Sequence, residues 1–270
     1  MKKKIFIIFG VLFLAGLVVS LVLFFVRSAG PSGKKNAVSE SGLANQAKEL
    51  LAKGRLLEAK AALQKLVMEY SNSSEVTRWQ EELENINIKL LFSPQVIPGS
   101  AVYEVKPGDA LSKIAKAYNT TAELIKKCNG LTGDTIVPGQ KIKVWSAPFN
   151  ILVDKSQNTL LLKANEEVIK TYTVSTGKNN CTPVGNFKIT SKLPNPTWFK
   201  AGAVVSAESP ENVLGTRWLG FDLAGYGIHG TTDPKSLGKQ VTQGCVRMSN
   251  TDVEELYSIV PQGTEVTIVD

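Results

Sequence analysis

Residues 5–26 read IFIIFGVLFLAGLVVSLVLFFV, without one charged side chain. As a helix rising about 1.5 Å per residue, such a run spans roughly 30 Å, the thickness of a bilayer's hydrocarbon core. A secretory signal has an apolar stretch of only about 7–15 residues. The run therefore predicts an uncleaved single-pass anchor over residues 1–27. The small residues of RSAGPSG that follow keep a cleaved signal as the alternative. Lys2, Lys3 and Lys4 precede the run, and Arg27, Lys34 and Lys35 follow it. With the α-amino group added, the balance favours an inside N-terminus, which puts residues 36–270 outside the cytoplasm.

Six of the seven net positive charges belong to the N-terminal segment. Residues 1–35 hold six of the 31 basic residues and no acid, leaving 25 bases against 24 acids in the rest of the chain. A nearly neutral body has no basic stripe for a phosphate backbone, so nucleic acid is not expected as a partner. Cys128, Cys181 and Cys245 cannot all pair within one chain. No CxxC occurs, and a single histidine cannot supply the usual zinc spacings. Neither a metal nor an organic cofactor is expected.

Beyond the anchor the chain changes character several times. Residues 28–40 are small and polar, and read as a linker. Over 41–92, apolar residues recur at helical spacing: Leu43, Ala47, Leu50 and Leu51; then Ala59, Leu63, Leu66 and Val67; then Val76, Trp79, Leu83, Ile86 and Leu90. Gly54 ends the first helix, and SNSS at 71–74 breaks the second and offers caps for the third. The stretch LLAKGRLLEAKAALQKLVMEYSNSSE resembles one tetratricopeptide-like helical pair. One repeat is too few for a solenoid, so a helical spacer or an oligomerising hairpin is expected, with the spacer the place for any protein partner.

Residues 93–101, with two prolines, read as a second linker. Over 102–145 the pattern is strand, helix, helix, strand. Asp109 is placed to cap the first helix, Thr120 and Glu123 have capping-box spacing for the second, and Asn129-Gly130 closes it. Cys128 has the spacing of a buried helix position. Over 149–270, short strand-like runs (NILVD, NFKIT, RWLGF, TEVTIVD) alternate with glycines and prolines, and TDVEELYSIV is the one clear helix, with Thr251 or Asp252 as its cap. These runs predict a mostly β sandwich.

HGTTDPKSLGKQVTQGCVRMSN, residues 229–250, contains the only histidine in the chain and one of the three cysteines. An ordinary thiol has a pKa near 8.5 and is mostly protonated at neutral pH. A neighbouring imidazole can take its proton and form an ion pair, and His229 is the only candidate. Gly230 and Gly244 permit tight turns beside both residues. The N–H groups of Gly244 and Cys245 are placed to meet an oxyanion, and the Gly230 carbonyl to orient the imidazole. The competing reading is a small buried cysteine and a satisfied histidine in one fold.

Two resemblances bear on this choice. YEVKPGDALSKIAKAY, the NG after the second helix and VPGQKIKV resemble a LysM domain. That resemblance implies binding of the N-acetylglucosamine-containing backbone of peptidoglycan or chitin through the loops at 108–111 and 135–138, with Gly108, Asp109, Ala110, Leu111, Ile136 and Val137 as contacts. Residues 149–270 resemble the L,D-transpeptidases of the YkuD type through VSTGKNNCTPVGNFKI, LPNPTWF, LGTRWLGF, GYGIHGT, TQGCVRMSN and DVEELYSIVPQGTEVTI. That resemblance implies Cys245 as nucleophile, His229 as base and the Gly230 carbonyl as its orienting group. It also implies a bacterial cytoplasmic-membrane protein facing the periplasm or wall. The expected reaction is 3→3 cross-linking of stem peptides with loss of D-alanine. An L,D-carboxypeptidase, a related cysteine peptidase or amidase, and a noncatalytic membrane-to-wall tether are the alternatives. Many members have Ser-His-Gly-Cys where this chain has Thr242-Gln243-Gly244-Cys245, so Gln243 stands for a second histidine. Thr242, Gln243, Arg247 and Trp218 are the expected substrate contacts. Arg247 would hold a substrate carboxylate or join an internal ion pair, and Trp198, Phe199 and Trp218 line the cleft or fill the core. Cys181 is incidental or disulfide-bonded.

Overall fold

The computed structural model describes residues 39–200 and 202–270. The expected anchor and most of the first linker lie outside the described residues. Among the described residues, no helix is long and apolar enough to cross a membrane.

Helices α1 (Glu40–Ala52), α2 (Leu56–Glu69) and α3 (Val76–Leu91) form where the apolar spacing predicts them. Leu43, Ala47, Leu50, Ala59, Leu63, Leu66, Trp79, Ile86 and Leu90 close one small core. Gly54 turns the chain between α1 and α2 at φ 70°, where a side chain would be strained. The SNSS stretch makes the turn into α3 without capping it: Glu75 takes the cap position, with no side-chain cap bond.

Strand β1 (Ser100–Glu104), α4 (Leu111–Ala117), α5 (Ala122–Asn129) and β2 (Lys141–Trp145) follow, with β1 and β2 antiparallel. Two capping expectations change here. Asp109 closes the turn before α4 instead of capping it, accepting the Lys106 N–H at 2.7 Å and the Tyr103 hydroxyl at 2.8 Å. The cap of α5 is Thr121, one residue later than its capping-box spacing suggests, and it accepts the Leu124 N–H at 2.8 Å. Cys128 is buried as expected, and burial pushes its thiol up to about 11.

The remaining strands are β3 (Phe149–Asp154), β4 (Thr159–Ala164), β5 (Glu167–Thr173), β6 (Thr176–Gly177), β7 (Gly185–Pro194), β8 (Trp198–Lys200), β9 (Ala203–Val205), β10 (Arg217–Phe221), β11 (Gly227–His229), β12 (Gln240–Thr242), β13 (Val246–Arg247) and β14 (Glu265–Val269). Helix α6 (Asn250–Ile259) lies between the last two. Its cap is Ser249, not Thr251 or Asp252: the Ser249 hydroxyl accepts the Asp252 N–H at 3.0 Å. The expected two-sheet sandwich is instead one curled, mixed sheet of eight strands in the order β13-β11-β10-β7-β14-β3-β4-β5. Two ribbons, β6 with β12 and β8 with β9, stand beside it. The short glycine-rich runs allow either arrangement. Closure against α6, which buries Val253, Leu256 and Ile259, requires only one sheet.

The helical segment is not a free spacer. Strand β5 ends the sheet, and an open edge invites unwanted pairing. Asn87 on α3 covers that edge, its amide donating to the carbonyls of Val168 (3.3 Å) and Ile169 (3.2 Å). Lys60 on α2 pairs with Glu167 at 2.6 Å, and Thr171 donates to Glu84 on α3 at 2.7 Å. Lys60 and Asn87, on α2 and α3, are in this way engaged by β5.

Lys143 locks the β1-α4-α5-β2 module to these helices. Its buried ammonium donates to the carbonyls of Leu90 (2.8 Å) and Ser93 (2.9 Å) at the end of α3. The Leu90 carbonyl also accepts the Ser93 hydroxyl at 3.0 Å, and a cation there meets the negative end of the helix dipole. Replacing Lys143 by methionine keeps the stem and removes the donors. The expected loss is about 2 kcal/mol of unfolding free energy, measured as a lower urea midpoint. An unchanged midpoint would mean that water serves these carbonyls equally well. On the module's other side, the Thr121 hydroxyl donates to the Ser258 carbonyl on α6, and Lys127 donates to the Ser258 hydroxyl at 2.9 Å.

Candidate active site

Strands β11 and β13 run parallel, with Ile228 opposite Val246 and His229 opposite Arg247. Side chains alternate along a strand. Ile228 and Val246 are buried in the core, so Gly227, His229, Cys245 and Arg247 share the opposite face. Adjacent strands lie about 4.8 Å apart, which makes His229 and Cys245 diagonal neighbours. The sixteen-residue separation is spanned by the short turn at Pro234–Ser236 and by β12, which pairs with β6.

The turn that presents Cys245 is held from inside. Gly244 has φ 122°, a conformation suited to glycine. The buried Thr242 hydroxyl accepts the Gly244 N–H at 3.2 Å and donates to the Cys245 carbonyl at 2.7 Å. Thr242 thus braces the nucleophile turn from beneath. Of the two proposed oxyanion donors, the Gly244 N–H is engaged by Thr242, which leaves the Cys245 N–H. Gln243 is exposed at the mouth of a cleft of about 610 Å³ that is also lined by Cys245, Trp198, Phe199, Trp218 and Tyr226. Phe199 is 76% exposed on the β8–β9 ribbon, so this aromatic belongs to the cleft and not to the core.

His229 is only 3% exposed and stacks against Trp218, with ring centres 5.9 Å apart. Its Nδ1 lies 2.7 Å from the Gly230 carbonyl. A carbonyl can only accept, so Nδ1 carries the proton and Nε2 keeps the lone pair. Burial lowers the imidazole pKa to about 4, with Arg247's charge acting in the same direction. Burial raises the Cys245 pKa, against a backbone hydrogen bond from Gly227 that stabilises the thiolate. The resting pair is therefore a neutral thiol beside a neutral imidazole, not the ion pair the sequence suggests. Desolvation penalises both charges more than their neighbours repay.

Arg247 donates to the Ser236 hydroxyl at 3.1 Å, and its buried Nε has no partner. None of the ion pairs among the described residues involves it. Cys181 is a free, exposed thiol beside the nucleophile turn, its Sγ 3.9 Å from the Thr242 carbonyl. No metal-binding group of three or more histidine, cysteine or acidic residues occurs among the described residues.

The candidate glycan residues separate. The Val105 carbonyl accepts the Gly139 N–H at 2.8 Å, and the Val105 N–H donates to the Gln140 carbonyl at 2.9 Å, which draws the 105–110 and 135–140 loops together. Gly108 and Val137 are exposed, Ala110 is half-buried and Ile136 packs partly on the module's core. Leu111 is only 3% exposed and belongs to that core, so it supports the groove from below. Asp109 spends its carboxylate on Tyr103 and Lys106. The pattern of glycines and small residues marks the loops; it does not separate residues facing outward from those facing inward.

Residues 148–268 match the L,D-transpeptidase catalytic domain, and residues 103–145 match the LysM domain. A Bacillus licheniformis protein provisionally named L,D-transpeptidase YkuD is 38% identical over 175 residues, covering 62% of this chain and 98% of the relative. Its Bacillus subtilis counterpart is 37% identical over 173 residues, covering 62% and 97%. A solved L,D-transpeptidase from Mycobacterium smegmatis aligns over 50% of this chain and 65% of its own, at 21% identity and a TM-score of 0.38. With nearly the whole length of the Bacillus relatives matched at this identity, the chain belongs to the L,D-transpeptidase family and carries a LysM domain ahead of its catalytic domain.

Proposed function

We propose that this chain cross-links peptidoglycan by acyl transfer through Cys245. The observation that carries the reading is the parallel pairing of β11 with β13, with Cys245 at the entrance to β13 lining an open cleft and His229 two register positions further along the neighbouring strand. Cys245 Sγ attacks the carbonyl carbon at the L-centre of the third residue of a tetrapeptide stem. The thiol proton passes to His229 Nε2 as the S–C bond forms, so charge appears only along the reaction path. The Cys245 N–H meets the oxyanion, D-alanine leaves with the proton from His229, and a thioester remains. An amine of a second stem then displaces the thiol. Arg247, whose guanidinium donates to the Ser236 hydroxyl, is the cation nearest this face for a stem carboxylate. The LysM module, docked on α3 and α6, binds glycan and raises the local concentration of stems.

The apolar run at 5–26 supports a membrane anchor with the rest of the chain at the periplasm or wall. Fractionation of cells expressing the chain with and without residues 1–27 tests that location: equal release of both forms into the wash would remove the anchor.

Incubation with a disaccharide-tetrapeptide and an amine acceptor tests the chemistry. Released D-alanine and a protein mass increased by a disaccharide-tripeptidyl group are expected. A cross-linked dimer then identifies a transpeptidase, and a free tripeptide an L,D-carboxypeptidase. Folded, reduced protein that gives neither D-alanine nor adduct would leave the noncatalytic tether.

A further inference from the structure

Asn250 is the first residue of α6, well separated in sequence from both His229 and the turn before β10. Its Oδ1 accepts two backbone N–H groups, from Thr231 at 3.0 Å and from Thr216 at 3.3 Å. The Thr231 N–H belongs to the Gly230–Thr231 peptide. The carbonyl of that same peptide accepts the His229 Nδ1 proton. A peptide is a rigid plane with its N–H and C=O pointing in opposite directions. Holding one end therefore sets the direction of the other. The fit is close on both sides: a methyl group added at Gly230 or Gly215 would run into Asn250 Oδ1. The Met248 N–H also donates to the His229 carbonyl at 2.8 Å. The chain after the nucleophile thus fastens the His229–Thr231 segment at two points.

We infer that Asn250 is a positioning residue for the base: acting through the Gly230–Thr231 peptide, it holds the carbonyl that keeps His229 in the Nδ1–H tautomer. The inference rests on the reading of His229 as the base for Cys245. Accepting at the N–H end also polarises the peptide and makes its carbonyl a better acceptor. The charged group facing His229 is Arg247 on β13. Strand β10 contributes the uncharged Trp218 ring, Cys245 is the titratable group beside it on the shared face, and the turn at 214–216 contributes backbone.

The single histidine makes the test direct. In the untagged full chain, histidine labelled with ¹⁵N gives one imidazole, whose shifts report the tautomer and its titration. Asn250→Leu removes the acceptor at similar volume. It is expected to turn a single Nδ1–H tautomer into a mixture and to slow iodoacetamide labelling of Cys245 at pH 7 on the order of tenfold. Labelling is followed at that cysteine by peptide mass. Asn250→Asp keeps an acceptor oxygen and adds a negative charge. It is expected to retain the tautomer and raise the pH of the imidazole transition, which distinguishes positioning from mere packing. With a tetrapeptide substrate, Asn250→Leu is expected to lower kcat and leave KM near its original value. A folded Asn250→Leu protein with an unchanged tautomer and labelling rate would overturn the inference. If that protein does not fold, an Asn250→Asp protein with an unchanged imidazole titration overturns it instead. Tautomer and labelling need no substrate, so a chain that releases no D-alanine yet shows both responses would sink the transpeptidase reading and leave the role of Asn250 standing.

Discussion

A Cys245→Ala protein is expected to form no acyl adduct and to release no D-alanine, a loss of about 10⁴-fold or more. Nothing in the cleft replaces the lost sulfur. Cys128 is buried, and its thiol is pushed up to about 11, leaving almost no thiolate at neutral pH. Cys181 is exposed, but it sits behind the nucleophile turn against the Thr242 carbonyl and does not line the cleft. The fold is expected to survive. The turn is braced by the Thr242 hydroxyl on the backbone of residues 244 and 245, not by the sulfur. Equal thermal unfolding of the two proteins, with the adduct present only in the unmodified one, is the expected pair of results. An adduct persisting in Cys245→Ala would move the nucleophile to another residue, with Cys181 the first to examine.

The second large effect follows from the burial of His229. Its pKa falls on folding from 6.5 to about 4. The acid limb of kcat/KM is therefore expected near pH 4 and not near 6.5, because the imidazole stays a competent base down to that point. His229→Ala is expected to lose 10²- to 10⁴-fold in acylation at pH 7. Its residual rate should climb with pH, as the thiol must then ionise unaided against a raised pKa. Stability carries the same signature. Between pH 4 and 6.5 the unfolded chain holds a proton on His229 that the folded chain excludes. The unfolding free energy therefore rises with pH across that window. The contribution, about 3 kcal/mol, is fully present above pH 6.5 and lost as pH falls toward 4. Urea unfolding at pH 4.5 and pH 7 should show that slope in the natural chain and a flatter one in His229→Gln. Equal slopes would mean that His229 is solvated, and the acid limb would then belong near 6.5.

Much of this protein is legible along the chain. Three helices, the strand-helix-helix-strand module and the β-rich region follow from local spacing. Each rests on interactions between residues a few positions apart, and a linear pattern records those. The limits lie where the partner is distant. Thr121 in place of Thr120, and Ser249 in place of Thr251 or Asp252, differ by one to three positions because adjacent polar residues offer a cap equally well until packing fixes the helix register. Leu111 reads as part of a binding loop, yet the module's own core claims it. Asn250 stands in the quoted stretch from His229, but nothing local distinguishes it from any asparagine opening a helix.

The residues able to do chemistry can be read directly along the chain. One histidine leaves one candidate imidazole, and glycines flank both it and Cys245. The order of segments can be read there too, because each has its own period and composition. The state of those residues follows from the fold. The parallel register of β11 and β13 places His229 and Cys245 on one face, and that register depends on which side chains the core accepts. Burial leaves both groups neutral at rest. The helical segment becomes a cover for β5, and Lys143 a cap for α3. Desolvation, edge pairing and the closing of a helix end all depend on what the rest of the chain brings near, and one-dimensional spacing does not record that.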